Sequence, residues 1–150
     1  MKKTFFGLIG LIALIGVSAR ADVSSQDFGV TNSWKSSTTT TANMGAVVKI
    51  DKEDNCAVVV QMQGDAAGTG AVTVTFKRSF DGTTFETTPK FTAIFALNGN
   101  TAVVGYTNLS SSVLGAAGYL AIASVQNADG SCNATNCSVL LLKKTVKPSP

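Results

Sequence analysis

Apolar and polar side chains alternate along residues 71–80, with Val72, Val74, Phe76 and Phe80 on one side and Thr73, Thr75, Lys77 and Ser79 on the other. A period of two predicts a β-strand with one buried face, because successive strand side chains point to opposite sides of a sheet. Asp81-Gly82 follows and supplies the positive φ of a tight hairpin turn. The chain then sets off again through Phe85, so residues 71–89 read as strand, turn and return strand.

The rest of the chain repeats this grammar. Residues 46–50 predict a strand, and residues 56–63 (CAVVVQMQ) are the most continuously apolar stretch after residue 21, which predicts a central strand. Residues 91–97 lead into Asn98-Gly99-Asn100, a second hairpin signal, from which residues 101–109 pair back. Residues 119–126 and 138–146 predict the last two strands, flanking a loop at 127–137. About eight short strands at roughly ten-residue spacing predict an all-β, antiparallel β-sandwich of Ig-like or jelly-roll layout. Residues 22–45 form a polar Ser/Thr-rich lead-in, in which residues 28–34 read as an edge strand that docks Trp34 on the core. The sandwich then spans residues 46–146, and residues 147–150 are a tail.

Residues 1–21 follow a different rule. Lys2 and Lys3 precede residues 5–17 (FFGLIGLIALIGV), which lack any polar side chain, and Ala19-Arg20-Ala21 has small residues at the two positions a signal peptidase inspects. This order predicts a signal-like helix cleaved before Asp22. The run is shorter than the ~20 apolar residues of a membrane span, so an uncleaved segment would be at most a short anchor, the chain's sole tie to a membrane. Cleavage also changes the charge. The chain carries 12 Lys+Arg against 9 Asp+Glu, but Lys2, Lys3 and Arg20 leave with the signal, so the remainder is formally neutral. Nucleic acid is not an expected partner, since phosphate binding needs clustered cations, and Lys77-Arg78 and Lys143-Lys144 each split across two strand faces.

The chain has no histidine. Triads built on imidazole and most zinc sites are therefore excluded. Carboxylate pairs for glycoside hydrolysis are disfavoured because nearly all the acids fall in predicted turns, where Asp caps its own backbone. The acidic turn at residues 51–55 supplies too few oxygens for calcium. No cofactor and no metal are expected, and the chain reads as a non-enzyme. Cys132 and Cys137 bracket a short loop that brings the thiols within disulfide reach if its flanks are paired strands, and export favours oxidation. Cys56 then packs as a small hydrophobe at the start of a buried strand, or bonds one of the other two.

The segments FKRSFDGTTFETTP, ALNGNTAV and GAAGYLAIASVQN, with Lys147-Pro148, resemble small β-sandwich structural proteins of tailed-phage virions and their prophage relatives, in which a strand runs into a Ser-x-Asp-Gly-x-x-aromatic turn. The resemblance implies a structural role in capsid decoration or on tail surfaces, with no catalytic residues. Two functions are expected in turn: an exported structural or adhesive β-sandwich, secreted, periplasmic or on the cell surface, and a virion structural protein. A carbohydrate-active enzyme ranks a distant third. Expected partners are a second copy, other surface or virion proteins, or carbohydrate. The candidate binding loops are Asp81-Gly82, Asn98-Gly99-Asn100 and the 132–137 loop, since loops on a rigid sandwich are the usual recognition surfaces.

Overall fold

The computed structural model describes residues 20–30, 33–41, 45–50 and 55–147. The signal-like helix, cleavage-site residue Ala19, most of the acidic turn at 51–55 and the tail beyond residue 147 lie outside the described residues. Among the described residues there are ten strands: β1 (Arg20–Asp27), β2 (Ser33–Trp34), β3 (Thr38–Thr40), β4 (Val48–Lys49), β5 (Asn55–Gly64), β6 (Ala71–Ser79), β7 (Phe91–Ala96), β8 (Ala102–Leu109), β9 (Tyr119–Asn127) and β10 (Ala134–Lys147). One helical turn, α1 (Ser111–Leu114), joins β8 to β9, with Ser110 as its N-cap.

The strands form two five-stranded sheets, and every strand pair is antiparallel. The first runs β1-β10-β5-β8, with β2 also on β10; the second runs β3-β9-β6-β7, with β4 also on β9. This is the expected β-sandwich. β5 lies between β10 and β8, as its continuous apolar run predicts.

Alternation builds the core. In β5 the side chains of Val58, Val60 and Met62 turn inward, in β6 those of Val72, Val74 and Phe76, and all six are buried. Phe76 is fully buried and lies between Phe28 and Phe91, with ring centroids 5.7 and 5.3 Å away. Such tilted aromatic contacts add to the gain from burial itself. Gly105 of β8 packs directly against the second sheet: a Cβ there would run into the Phe95 ring of β7.

Four expectations are corrected. The return strand does not start at Phe85, which makes one isolated bridge to Ser79; β7 starts at Phe91 and pairs back on β6 from Phe76↔Phe91 to Ala71↔Ala96. The second turn is not a hairpin between neighbours either, because β8 leaves β7 and pairs with β5 in the other sheet. Asn98-Gly99 therefore makes a corner between sheets. Phe80 is 74% exposed, because the alternation of β6 slips at its end: Ser79 turns inward at 2% exposure and sends the next residue out. Finally, the long edge strand is β1 rather than residues 28–34. Phe28 and Trp34 are nonetheless core residues, at 0% and 1% exposure.

Truncation separates the two phenylalanines. Phe76→Ala should cost about 3–5 kcal/mol, as for other buried aromatic residues, whereas Phe80→Ala should stay within about 0.5 kcal/mol of the parent. Urea unfolding with an unchanged slope reads both; equal losses at the two positions would contradict the slipped alternation.

Candidate functional site

The candidate loops lie at opposite ends of the sandwich. Asp81-Gly82 follows the end of β6 that carries Ser79, while Asn98-Gly99-Asn100 follows the end of β7 that pairs with Ala71. The loop before β10 joins the second group, since Asn127 pairs with Val72.

At the first end, Ser79 organises the turn. Its Oγ donates to Asp81 Oδ1 (2.8 Å) and accepts the N–H of Gly82 (2.9 Å). Asp81 Oδ1 also accepts the N–H groups of Thr83 (2.9 Å) and Thr84 (2.8 Å). These bonds, that from Thr84 foremost, hold the Asp81 carboxyl well below the ordinary range. Gly82 takes φ +80°, and a Cβ there would press on the Tyr119 ring at 3.2 Å. Beside the turn, Arg78 grips Glu86 with two nitrogens, one of them Nε to Oε2 at 3.0 Å, and donates Nη1 to the carbonyl of Val113 (2.6 Å). The ion pair lowers the Glu86 pKa and raises that of Arg78. Lys77 Nζ stands 5.0 Å from the centre of the Phe85 ring.

At the opposite end Asp129 ties three loops together. Its Oδ1 accepts the N–H groups of Ser131 and Cys132, both at 2.9 Å, and its Oδ2 accepts that of Gly70 at 2.7 Å. Its own N–H donates to Asn127 Oδ1 (3.0 Å), and Asn127 Nδ2 donates to the carbonyls of Trp34 (3.1 Å) and Cys132 (2.9 Å). Bonding to backbone N–H groups, that of Ser131 first, lowers the Asp129 pKa. Next to it Asp65 accepts the N–H of Asn133 (2.8 Å) and its side-chain amide (2.6 Å), and this too lowers its pKa. In the Asn98–Asn100 corner, Gly99 at φ +55° donates its N–H to Gly68 (2.7 Å), and Thr101 donates to the Asn98 carbonyl (3.0 Å). Gln63 reaches the carbonyl of Asn100 at 2.7 Å.

The clip between Cys132 and Cys137 is not formed. Both are buried, unbridged thiols. The flanks are not two paired strands: β10 already starts at Ala134, so the chain between the cysteines runs along one strand, with a bulge after Thr135 and Asn136 at φ +51°. Strand residues advance about 3.3 Å each, which carries the ends past the ~7 Å Cα limit for a disulfide. Desolvation pushes the Cys137 thiol up to about 12, so it stays protonated.

The sequence reading missed the bracing by Asn127 and Asp129, although Asn and Asp two residues apart beside Gly130 are turn formers that bond their own backbone. It also missed what lies outside. Ile94, Val104 and Tyr106 are 65%, 63% and 73% exposed. A shallow depression of about 250 Å³ beside Asn108, Ala57 and Leu142, and another of about 360 Å³ beside Gln61, Ala102 and Val104, flank β8 on its sheet. Neither brings two carboxylates together.

Two tests follow from this geometry. The lowered carboxyls contribute stability that is present above their unfolded values, near 3.8 for Asp129, and is lost as pH falls through their folded ones. Asp129→Asn should be less stable than the parent at pH 7 and lose less on acidification to pH 3, as read by denaturant midpoints at both values. The intact mass should not change on reduction, and thiol reagents should label Cys132 and Cys137 only after unfolding. A gain of two hydrogens would restore the clip.

No protein-family model matches the chain, and no curated protein does. Among the solved structures to which the chain is similar are two chains from one virus. A chain in the structure of infectious bursal disease virus, Gx strain, is 16% identical with a TM-score of 0.44, over 84% of this chain and 32% of that one. A chain in the T13 particle of the same virus is 15% identical with a TM-score of 0.41, over 96% of this chain and 40% of the other. This chain thus spans less than half the length of either viral chain.

Proposed function

We propose that the protein is a non-catalytic structural β-sandwich, exported by its N-terminal segment, that works by associating with further copies or with other structural proteins at the cell surface or in the periplasm. One contrast carries this reading. The loop ends are closed upon themselves by hydrogen bonds, while the outer face of the β1-β10-β5-β8 sheet carries apolar side chains at its middle, between polar ones. Tyr106, Val59 and Leu140 lie in one cross-strand row there, and Ala57 and Leu142 in the next. Tyr106 is exposed there, as is Val104 on the same strand, and the other four are half-buried; apolar side chains left open to water next to one another favour an interaction surface.

The acids support the non-catalytic reading. Asp65, Asp81, Glu86 and Asp129 all have lowered pKa values and are held by their own turns or partners. A general acid or base at neutral pH needs the opposite, a carboxyl raised toward 7. A structural role in a virion is the second reading. It rests on the turn after β6, where the Ser-x-Asp-Gly motif of the resemblance adopts one compact geometry through the Ser79–Asp81 bond at 2.8 Å.

Intact mass on separated medium, periplasm, membranes and phage particles discriminates the two. A chain beginning at Asp22 in the exported fractions is expected on the first reading. A chain beginning at Met1 that co-purifies with particles would instead establish the second, and a Met1 chain free in the cytosol would remove both.

A further inference from the structure

We propose that the open edge of β8 is a self-pairing site, at which two copies join their sheets through antiparallel β8–β8 hydrogen bonding about a two-fold axis at Gly105. The inference rests on the structural, self-associating reading and names the surface responsible.

Among the described residues β8 pairs with β5 alone, in an unbroken register from Cys56↔Leu109 to Gln63↔Ala102. Its far side therefore presents a row of backbone N–H and C=O groups that no strand of the same chain takes up. Such an edge is a template for another strand unless charge, proline, a bulge or brevity guards it. β8 has none of these guards: it is eight residues long, AVVGYTNL, without charge or proline. The remaining edges differ. β1 carries Asp22 and Asp27, β2, β3 and β4 have only two or three residues, and β7 has six and follows Pro89-Lys90.

A second copy suits this edge better than an unrelated strand, for reasons of charge and of register. Neither β8 nor the neighbouring β5 bears a charged residue, so two identical edges meet without like-charge apposition. Side chains opposite each other in an antiparallel pair point to the same face. The outward residues of β8 are Ala102, Val104, Tyr106 and Asn108, all exposed. Outward must meet outward, so the paired residue numbers sum to an even value. Two such registers are equally central on this eight-residue strand: one sets Tyr106 against its own copy and Val104 against Asn108, while the other places Gly105 against its own copy and Val104 against Tyr106 of the second copy, twice, and is the one proposed. Valine against tyrosine is an aromatic–β-branched pair of the kind that stabilises sheets. The two β5–β8 halves then form one continuous sheet, with Tyr106 and Val104 of both copies side by side on its outer face at the junction.

Sedimentation equilibrium of the purified exported protein over a range of concentrations is the first test, with a reversible dimer expected. Val104→Lys combined with Tyr106→Lys alters only exposed positions and should weaken association at least tenfold, with thermal unfolding confirming that the variant is folded. The register is read separately. Mixing Val104→Cys chains with Tyr106→Cys chains under mild oxidation should give the mixed disulfide dimer, because opposed Cα atoms lie about 4.5–5.5 Å apart, inside disulfide range. Tyr106→Cys alone should not cross-link. If the parent associates but the lysine variant associates equally, or if Tyr106→Cys cross-links to itself, the β8 edge or its register is wrong while the structural reading stands. A parent that remains monomeric throughout overturns this proposal and the self-association behind it.

Discussion

The sandwich depends on one backbone ladder, the pairing of β10 along both of its sides. Over Ala134–Lys147 this strand bonds β5 on one side, and β1 and β2 on the other. Three segments far apart in sequence are thereby fixed in one sheet, and the polar β1, which has little apolar surface to bury, is held in place. Such long-range pairings form only after large loops close, so the topology is of the slow-folding kind. Once β5 and β10 lie together, their inward residues Val58, Val60, Val139 and Leu141 present one apolar wall to the second sheet.

The second sheet answers with Val72, Val74 and Phe76 from β6 and Leu120, Ile122 and Val125 from β9. A bulge lies in this pair: Thr75 faces Ser124 and Phe76 faces Ile122, so Ala123 is extra. Bulges bend a strand and sharpen its twist. At one margin the polar bracing at Asp129 joins the sheets by hydrogen bonds where loops replace strands. It links Gly70 before β6 to the turn before β10, and Asn127 extends the link to Trp34 in the first sheet.

Much of this layout was legible in the residues. Alternation located β6, because a strand with one buried face has a period of two, and the continuous apolar run and the turn signals located β5 and β7 to β9 within a few positions. Pairing partners were not legible. Asn98-Gly99 encodes a reversal of the chain, and β8 could satisfy that reversal on either sheet; it takes the place beside β5. The slip at Phe80 was hidden for a related reason, since Ser79 turns inward to serve the Asp81 turn and no hydrophobicity pattern records a hydroxyl's bonding duty. β1 gave no periodic signal, RADVSSQD being polar on both sides, because its place rests on main-chain bonds. Asp81-Gly82 and Asn98–Asn100 lie in turns as expected, whereas the 132–137 loop runs from Ala134 into β10; Asp81 and Asp129 bond the backbones of their own turns.

Asp22 pairs with Thr145 across the first sheet, so the first and last described strands lie side by side and antiparallel. The two points where the chain enters and leaves the domain are neighbours at one corner of the sandwich. The fold thus resembles a closed circuit opened at a single seam. A short bridge across that seam would leave every ladder in place, and the seam could be moved to the long excursion between β6 and β7 without changing which strands touch. The order in which the strands are read from the gene is thus one of several compatible with the same two sheets.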